Sequence, residues 1–239
     1  TATLSYAENG TGAVTTVTAT DADSGDTKTY SIAGGADAGK FSINSSSGAL
    51  TFNASPNFEA PTDSDGNNSY EVKVRVTDGV NLYDEQTLSV NVTDVNDKAP
   101  VFTSDGTGIV AENAAISTVI YDAATTDADG TGANQVLVYN LKGDGSADDA
   151  ELLNINSTTG EVTLKAGANY EVKNSYAFIV VATNAGTGAT LTTEQAVSVS
   201  VTNVNDTPAI ATGGTIAFTE QTPTAAAPAI ALSDDDVNW

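Results

Sequence analysis

Apolar and polar residues alternate along much of the chain. Val72, Val74 and Val76 are interleaved with Lys73, Arg75 and Thr77, and Val197, Val199 and Val201 with Ser198, Ser200 and Thr202. A period of two belongs to a β-strand with one buried face, and sustained helical spacing is nearly missing. Clusters of Gly, Asn, Asp and Ser divide the first stretch into expected strands near residues 2–7, 13–20, 27–33, 39–43, 48–53, 69–78 and 83–94. The same seven recur further on, so the expected fold is all-β: seven-stranded β-sandwiches in tandem.

The repeat is also visible in short motifs. Asp94-Val95-Asn96-Asp97 returns as Asn203-Val204-Asn205-Asp206, and Ala7-Glu8-Asn9 as Ala111-Glu112-Asn113. Thr20-Asp21-Ala22-Asp23 returns as Thr126-Asp127-Ala128-Asp129, and Gly48-Ala49-Leu50-Thr51 as Gly160-Glu161-Val162-Thr163. The period of about 110 residues is close to one β-sandwich. The expected domains are 1–97 and 98–206, with 207–239 opening a third in which Glu220 stands where Glu8 and Glu112 stand. So short a remnant cannot close its own sandwich, so the chain reads as a piece of a longer protein.

If each strand crosses its sandwich from pole to pole, connections after odd-numbered strands lie at one pole and those after even-numbered strands at the other. Glu8, Glu59 and the Asp94–Asp97 linker then converge at the lower pole of the first domain. Asp127, Asp129 and Asn184 sit at the upper pole of the second, which the linker brings beneath the first. Six ionised carboxylates at one junction repel by several kcal/mol per close pair at an effective dielectric of about 20, a cost that a divalent cation removes. The backbone carbonyls of Val95 and Asn96 are expected to complete its shell.

Composition narrows the choice of cation and partner. The chain has 31 acidic and 8 basic residues, a net charge of −23, which argues against nucleic acid and anionic membranes. It lacks Cys, His and Met, which removes disulfides, soft-metal sites and His- or Cys-based catalysis, and no enzyme activity is expected. Many hard carboxylate oxygens select Ca²⁺, whereas Mg²⁺ prefers fewer carboxylates and more water. With 40% hydrophobic but only 6% aromatic residues, the cores are expected to be built from Val, Ile, Leu and Ala.

Four motifs in this order, Ala-Glu-Asn, Asp-Ala-Asp, the pairs Phe58-Glu59 and Tyr170-Glu171, and the Asp-x-Asn-Asp linker, resemble tandem cadherin repeats of the bacterial cadherin-like type found in large surface adhesins. The resemblance covers both full units. It implies Greek-key, immunoglobulin-like sandwiches in an elongated array, with Ca²⁺ bound between successive domains at these positions. It further implies an extracellular or bacterial cell-surface rod for adhesion or biofilm formation, with homophilic or polysaccharide partners.

Departures from the family pattern modify that expectation. Lys98 and Thr207 stand where an Asn usually follows the linker, Asn57 and Asn169 replace an acidic residue, and Asn184 and Asn203 replace Asp. Lys98 is expected to repel a cation, leaving the outer site at the first junction weak and the inner ones filled. The second junction, with Glu112, Glu171, Asn203, Asn205 and Asp206, is expected to bind less tightly. Asp21, Asp23 and Asp78 would serve a preceding domain, and Asp234 and Asp236 belong to the third unit.

Other features are less specific. The insertion Asp63-Ser64-Asp65-Gly66-Asn67-Asn68 echoes the start of a calcium loop, although Val74 occupies the place of its closing Glu, and a polar turn is the competing reading. Asp144, Asp148 and Asp149 read as a solvated loop. Val136, Val138, Ile179 and Val181 are expected to form an outer apolar patch for self-association, against the plain preference of β-branched residues for strands. Two further readings are a filament subunit completed by strand exchange and a carbohydrate-binding module using Tyr83 and Tyr121.

Overall fold

The strands of the first repeat are β1 (Ala2–Ala7), β2 (Ala13–Thr16), β3 (Thr29–Gly34), β4 (Phe41–Ile43), β5 (Ala49–Phe52), β6 (Ser69–Thr77) and β7 (Tyr83–Thr93). This computed structural model describes residues 1–23, 25–129, 136–143, 149–185, 189–207, 209–211 and 231–233. Strand order is β1-β7-β6-β3 in one sheet and β2-β5-β4 in the other. A four-stranded and a three-stranded sheet face each other, as the alternating pattern requires. Among the described residues, helix is confined to 3-10 turns at Ala38–Lys40 and Ala150–Leu152, and none is long and apolar enough to cross a membrane.

Register explains how the first core closes. β6 and β7 are antiparallel with Tyr70 opposite Val90 and Val72 opposite Leu88. These four side chains are buried together with Val74, Val92, Phe41 and Leu50. Their intervening neighbours point outward, where Arg75 and Lys73 both reach Glu85. The Phe52 ring joins the core, 4.4 Å from Phe41 and 5.1 Å from Tyr70, centroid to centroid. Phe41, Phe52 and Tyr70 are thus gathered in the first core, where large rings fill volume that Val alone would leave void.

The recurring Gly of the Gly-Ala-Leu-Thr motif has a steric origin. Gly48 has φ +74°, and a Cβ there would lie 2.2 Å from the Val17 carbonyl oxygen. Gly160 repeats this, with φ +82° and 2.5 Å to the Ala123 carbonyl oxygen. Only glycine fits both the backbone conformation and the close approach.

The second repeat opens with β8 (Val101–Phe102), β9 (Thr107–Ala111), β10 (Val119–Asp122), β11 (Thr125–Thr126) and β12 (Leu137–Leu141). It continues with β13 (Leu153–Ile155), β14 (Glu161–Leu164), β15 (Ser175–Ala185) and β16 (Thr190–Thr202). Its sheets run β12-β15-β16-β9 and β10-β14-β13, with β8 and β11 forming an additional two-stranded pair. Val180, Val199 and Val162 are fully buried between them. Beyond lie β17 (Ala209–Ala211) and β18 (Ala231–Ser233), which pair antiparallel.

By contact density the chain forms two compact units. Unit 1 comprises Thr1–Pro100 with Asp127–Leu137 and Thr183–Thr192; unit 2 comprises Val101–Thr126, Val138–Ala182 and Thr193–Trp239. The segments bearing Asp127, Asp129 and Asn184 therefore group with the first repeat. Of the expected outer patch, Val136 and Val138 are exposed, and Ile179 and Val181 half-buried, on the neighbouring strands β12 and β15 and just before β12.

Candidate metal centre

Glu8 leaves the end of β1 and is only 3% exposed. Its Oε2 accepts the Phe58 N–H at 2.8 Å and its Oε1 the Val95 N–H at 2.8 Å, so one carboxylate ties three segments. The next residue, Asn9, has φ +58°, a left-handed conformation that asparagine tolerates, and its Nδ2 donates to Asp97 Oδ2 at 2.6 Å. Unit 2 repeats the device. Glu112 accepts from Tyr170 and Val204 N–H, and Asn113, at φ +59°, donates to Asp206. The Asn of the recurring Ala-Glu-Asn motif is thus a positioning residue for the linker Asp. Its recurrence directly after the Glu was the available signal.

Two carboxylate triads meet in unit 1. Glu8, Glu59 and Asp94 each offer an oxygen within 4.8 Å of the others, as do Glu59, Asp97 and Asp129. Glu59 belongs to both. Asp129 is fully buried and accepts from the Lys98 backbone N–H at 3.0 Å. Burial is the main influence raising the Glu59 carboxyl above its ordinary 4.5; Glu8 adds to it and Lys98 opposes it. Burial likewise raises Asp129 above 3.8, with Asp127 and Asp94 adding repulsion.

Lys98 does not turn away from these charges. Its Nζ pairs with Asp97 Oδ1 and lies 3.3 Å from Glu59 Oε2, and the Asp97 contact is the main cause raising its own pKa. The sequence-based expectation treated Lys98 only as repulsive to a cation. Asp127 lies outside both triads, where Asn184, itself fully buried, donates to its Oδ2 at 2.5 Å. Asn96 is buried and donates to the Ala189 carbonyl, while its Oδ1 has no hydrogen-bond donor.

The other expected residues separate. Near the start of unit 1 the triad is Asp21, Asp26 and Asp78, with Asp26 in the place expected for Asp23. Asp23 instead turns its backbone N–H onto Asp21 Oδ1, and Gly25, at φ +105°, reverses the chain just before Asp26. In unit 2, Glu112, Glu171 and Asp206 form a triad. Asn203 donates its amide to Glu171 Oε1 and Asn205 donates to the Asp206 carbonyl, so both present nitrogen in these contacts. Asp63 and Asp65 lie on their own loop. Asp149 pairs with Lys173 at 2.8 Å, whereas Asp144, Asp148, Asp234 and Asp236 lie outside the described residues. Tyr121 is no exposed stacking platform: it is buried and bonded to Ser104 and Gln195. Tyr83 is exposed, with the Arg75 guanidinium 4.2 Å over its ring.

The sequence profile of the cadherin domain matches residues 3–93 and again 107–202. The chain belongs to the cadherin domain family. Among similar proteins, human Protocadherin Fat 4 is 35% identical over 158 residues, 65% of this chain and 3% of that protein. Drosophila melanogaster Protein dachsous is 33% identical over 210 residues, 85% of this chain and 6% of that protein. The chain thus spans a small fraction of these relatives. Among solved structures, human Protocadherin-24 EC1-2 superposes with TM-score 0.72 at 21% identity, covering 84% of this chain and 94% of that one. Mouse Cadherin-23 EC22-24 gives 0.68 at 24%, covering 87% and 65%. These likenesses carry the tandem cadherin fold. Of the two triads that share Glu59, the one with Asp97 and Asp129 takes a residue from the second cadherin repeat, and the donor set, all hard oxygen with buried oxygens lacking donors at Glu59 Oε1 and Asn96 Oδ1, fits Ca²⁺.

Proposed function

We propose that this chain is a calcium-dependent extender and adhesion segment of an extracellular protein. The observation that carries the reading is the pair of triads sharing half-buried Glu59. Glu8, Glu59, Asp94, Asp97 and Asp129 would hold Ca²⁺, which when bound supplies the positive charge these carboxylates lack. Glu8 fastens Phe58 and Val95, Asn9 aims Asp97, and Asn96 reaches Ala189. These contacts draw residues of both repeats onto one site, so loading it restrains the connection between repeats. The motif order supports a bacterial cadherin-like surface adhesin as the parent.

Calorimetric titration of the metal-free chain with Ca²⁺, alongside small-angle scattering with and without EGTA, tests this. Binding of two or more ions with a sharpened or lengthened distance distribution is expected. Heat and shape indifferent to millimolar Ca²⁺ would reduce the triads to surface charge.

A further inference from the structure

Asn9-Gly10 is the one Asn-Gly step in the chain, and the fold calls for both of its residues. Asn9 holds the left-handed φ of +58° and aims Asp97 through its Nδ2. Gly10 lies against the Tyr6 ring, where a Cβ would come within 2.7 Å of Cζ. The second repeat fills the same places with Val110 and Ala114, so its copy of the turn reads Asn113-Ala114.

An asparagine amide is most open to attack by the next backbone nitrogen when that residue is glycine, which has no Cβ to hinder the approach and a backbone free to turn. Asn9 is exposed, so water and solvent base reach it. Its own N–H is tied to the Pro56 carbonyl at 2.9 Å. The Gly10 N–H, which carries the attacking nitrogen, reaches only the Ala7 carbonyl at 3.4 Å, beyond the usual range of a hydrogen bond. What restrains the amide is its bond to Asp97 Oδ2 at 2.6 Å, which fixes the side chain on the linker.

We propose that Asn9 is a site of spontaneous deamidation, a modification that releases Asp97 from its aim. The Gly10 nitrogen gives its proton to solvent base and bonds to Asn9 Cγ; the Cγ–Nδ2 bond breaks and the amide nitrogen leaves as ammonia. Water then opens the succinimide to an aspartyl or isoaspartyl residue, with no oxidant or reductant involved. The product carries a carboxylate in place of the amide, so a donor to Asp97 becomes a like charge. In a clause that rests on the calcium reading of the triads, a cation that holds Asp97 also holds the amide, so the metal-free chain ages faster.

The test incubates the full chain in mildly alkaline buffer with EGTA or with CaCl₂. Mass spectrometry follows the tryptic peptides 1–28 and 99–142, with fragment ions locating any gain of about one dalton. In EGTA, Asn9 should convert about tenfold faster than Asn113, a barrier lower by about 1.4 kcal/mol, and CaCl₂ should slow it. The double variant Tyr6→Val with Gly10→Ala, which installs the pair carried by the second repeat, should fold and keep its mass. Asn9→Asp, the aspartyl product made directly, should melt below wild type in EGTA. Conversion at Asn9 no faster than at Asn113 overturns the proposal, and Asn9→Asp melting like wild type overturns the link to Asp97. Calorimetric Ca²⁺ binding without slower conversion overturns the protection. If no Ca²⁺ binds while Asn9 still outpaces Asn113, the modification site stands and the calcium reading fails.

Discussion

Lys98 Nζ lies 3.3 Å from Glu59 Oε2, so the carboxylate shared by both triads already faces one built-in cation. A lysine at this point is a competitor for metal: its charge is held in place by the same oxygens a metal needs. Its two contacts also bring the Asp97 and Glu59 charges together in the absence of any ion.

Replacing Lys98 by Asn removes that competitor and adds an oxygen ligand. Ca²⁺ affinity should rise about tenfold, equivalent to about 1.4 kcal/mol, because a charge near the site is only partly screened at this half-buried position. Titration calorimetry of Lys98→Asn against wild type reads the change. Weaker binding in the variant would show that Lys98 assembles the site instead of guarding it.

Metal-free stability should depend on pH with a defined sign. Glu59 and Asp129 are raised above 4.5 and 3.8 by burial, so between those ordinary values and the folded ones the native state holds more protons than the unfolded chain. Melting temperature in EGTA should therefore fall as pH rises through that window. The rise in melting temperature on adding Ca²⁺ should grow over the same window, since ligation needs the ionised forms. Glu59→Gln should flatten both trends.

Glu112 carries the opposite sign. Backbone N–H bonds from Tyr170 first, and Val204 next, hold it below its ordinary 4.5. It therefore stabilises the fold above 4.5, and that contribution is lost as pH falls through the lowered folded value. Glu112→Gln in EGTA should melt below wild type at neutral pH and converge with it in acid. A gap that persists in acid would point to lost packing instead of lost charge.

Asn184→Asp would set a carboxylate against Asp127 Oδ2, now 2.5 Å from the Asn184 amide. Burying a like charge there should destabilise the metal-free protein by roughly 3 kcal/mol. Millimolar Ca²⁺ should restore it and bind more tightly than in wild type. Paired thermal melts with EGTA and with Ca²⁺ read both effects, and loss of stability under both conditions would count against a metal role for this position.

Leu50→Ala serves as the contrast. Leu50 is fully buried between the sheets, and truncation should cost about 2–5 kcal/mol through lost contacts and a residual cavity. The loss should be the same with and without Ca²⁺ in denaturant melts, because Leu50 belongs to the core and not to the triads.

Strands and repeats were legible because alternation and short motifs are local properties. The convergence of Glu8, Glu59 and Asp94 was legible for a related reason: strand parity alone decides which pole a loop occupies. What depends on turn geometry was not. Asp26 takes the place expected for Asp23 because Gly25 reverses the backbone, and the Asp21–Asp23 spacing gives no hint of it. The inward pairing of Lys98 was missed because a sequence shows the sign of a charge and not the direction of its side chain. The short β8–β11 pair has no counterpart in the alternation pattern, since two residues per strand are too few to show a period. Tyr121 was misjudged because its strand, β10, has a register irregularity between Val119 and Tyr121 that turns consecutive residues Ile120 and Tyr121 both inward.

The parallel pairing at each repeat's edge sets how the fold would respond to a pull on its two ends. β1 lies along β7 from Ala2 opposite Leu88 to Ala7 opposite Thr93, and β9 along β16 from Thr107 opposite Ser198 to Ala111 opposite Thr202. The chain enters each repeat at one end of this ladder and leaves at the other. Tension applied through the two ends drags the paired strands past one another lengthwise, so all rungs share the force at once instead of opening singly like a zipper. A pull at its two ends would load each repeat in shear along this ladder.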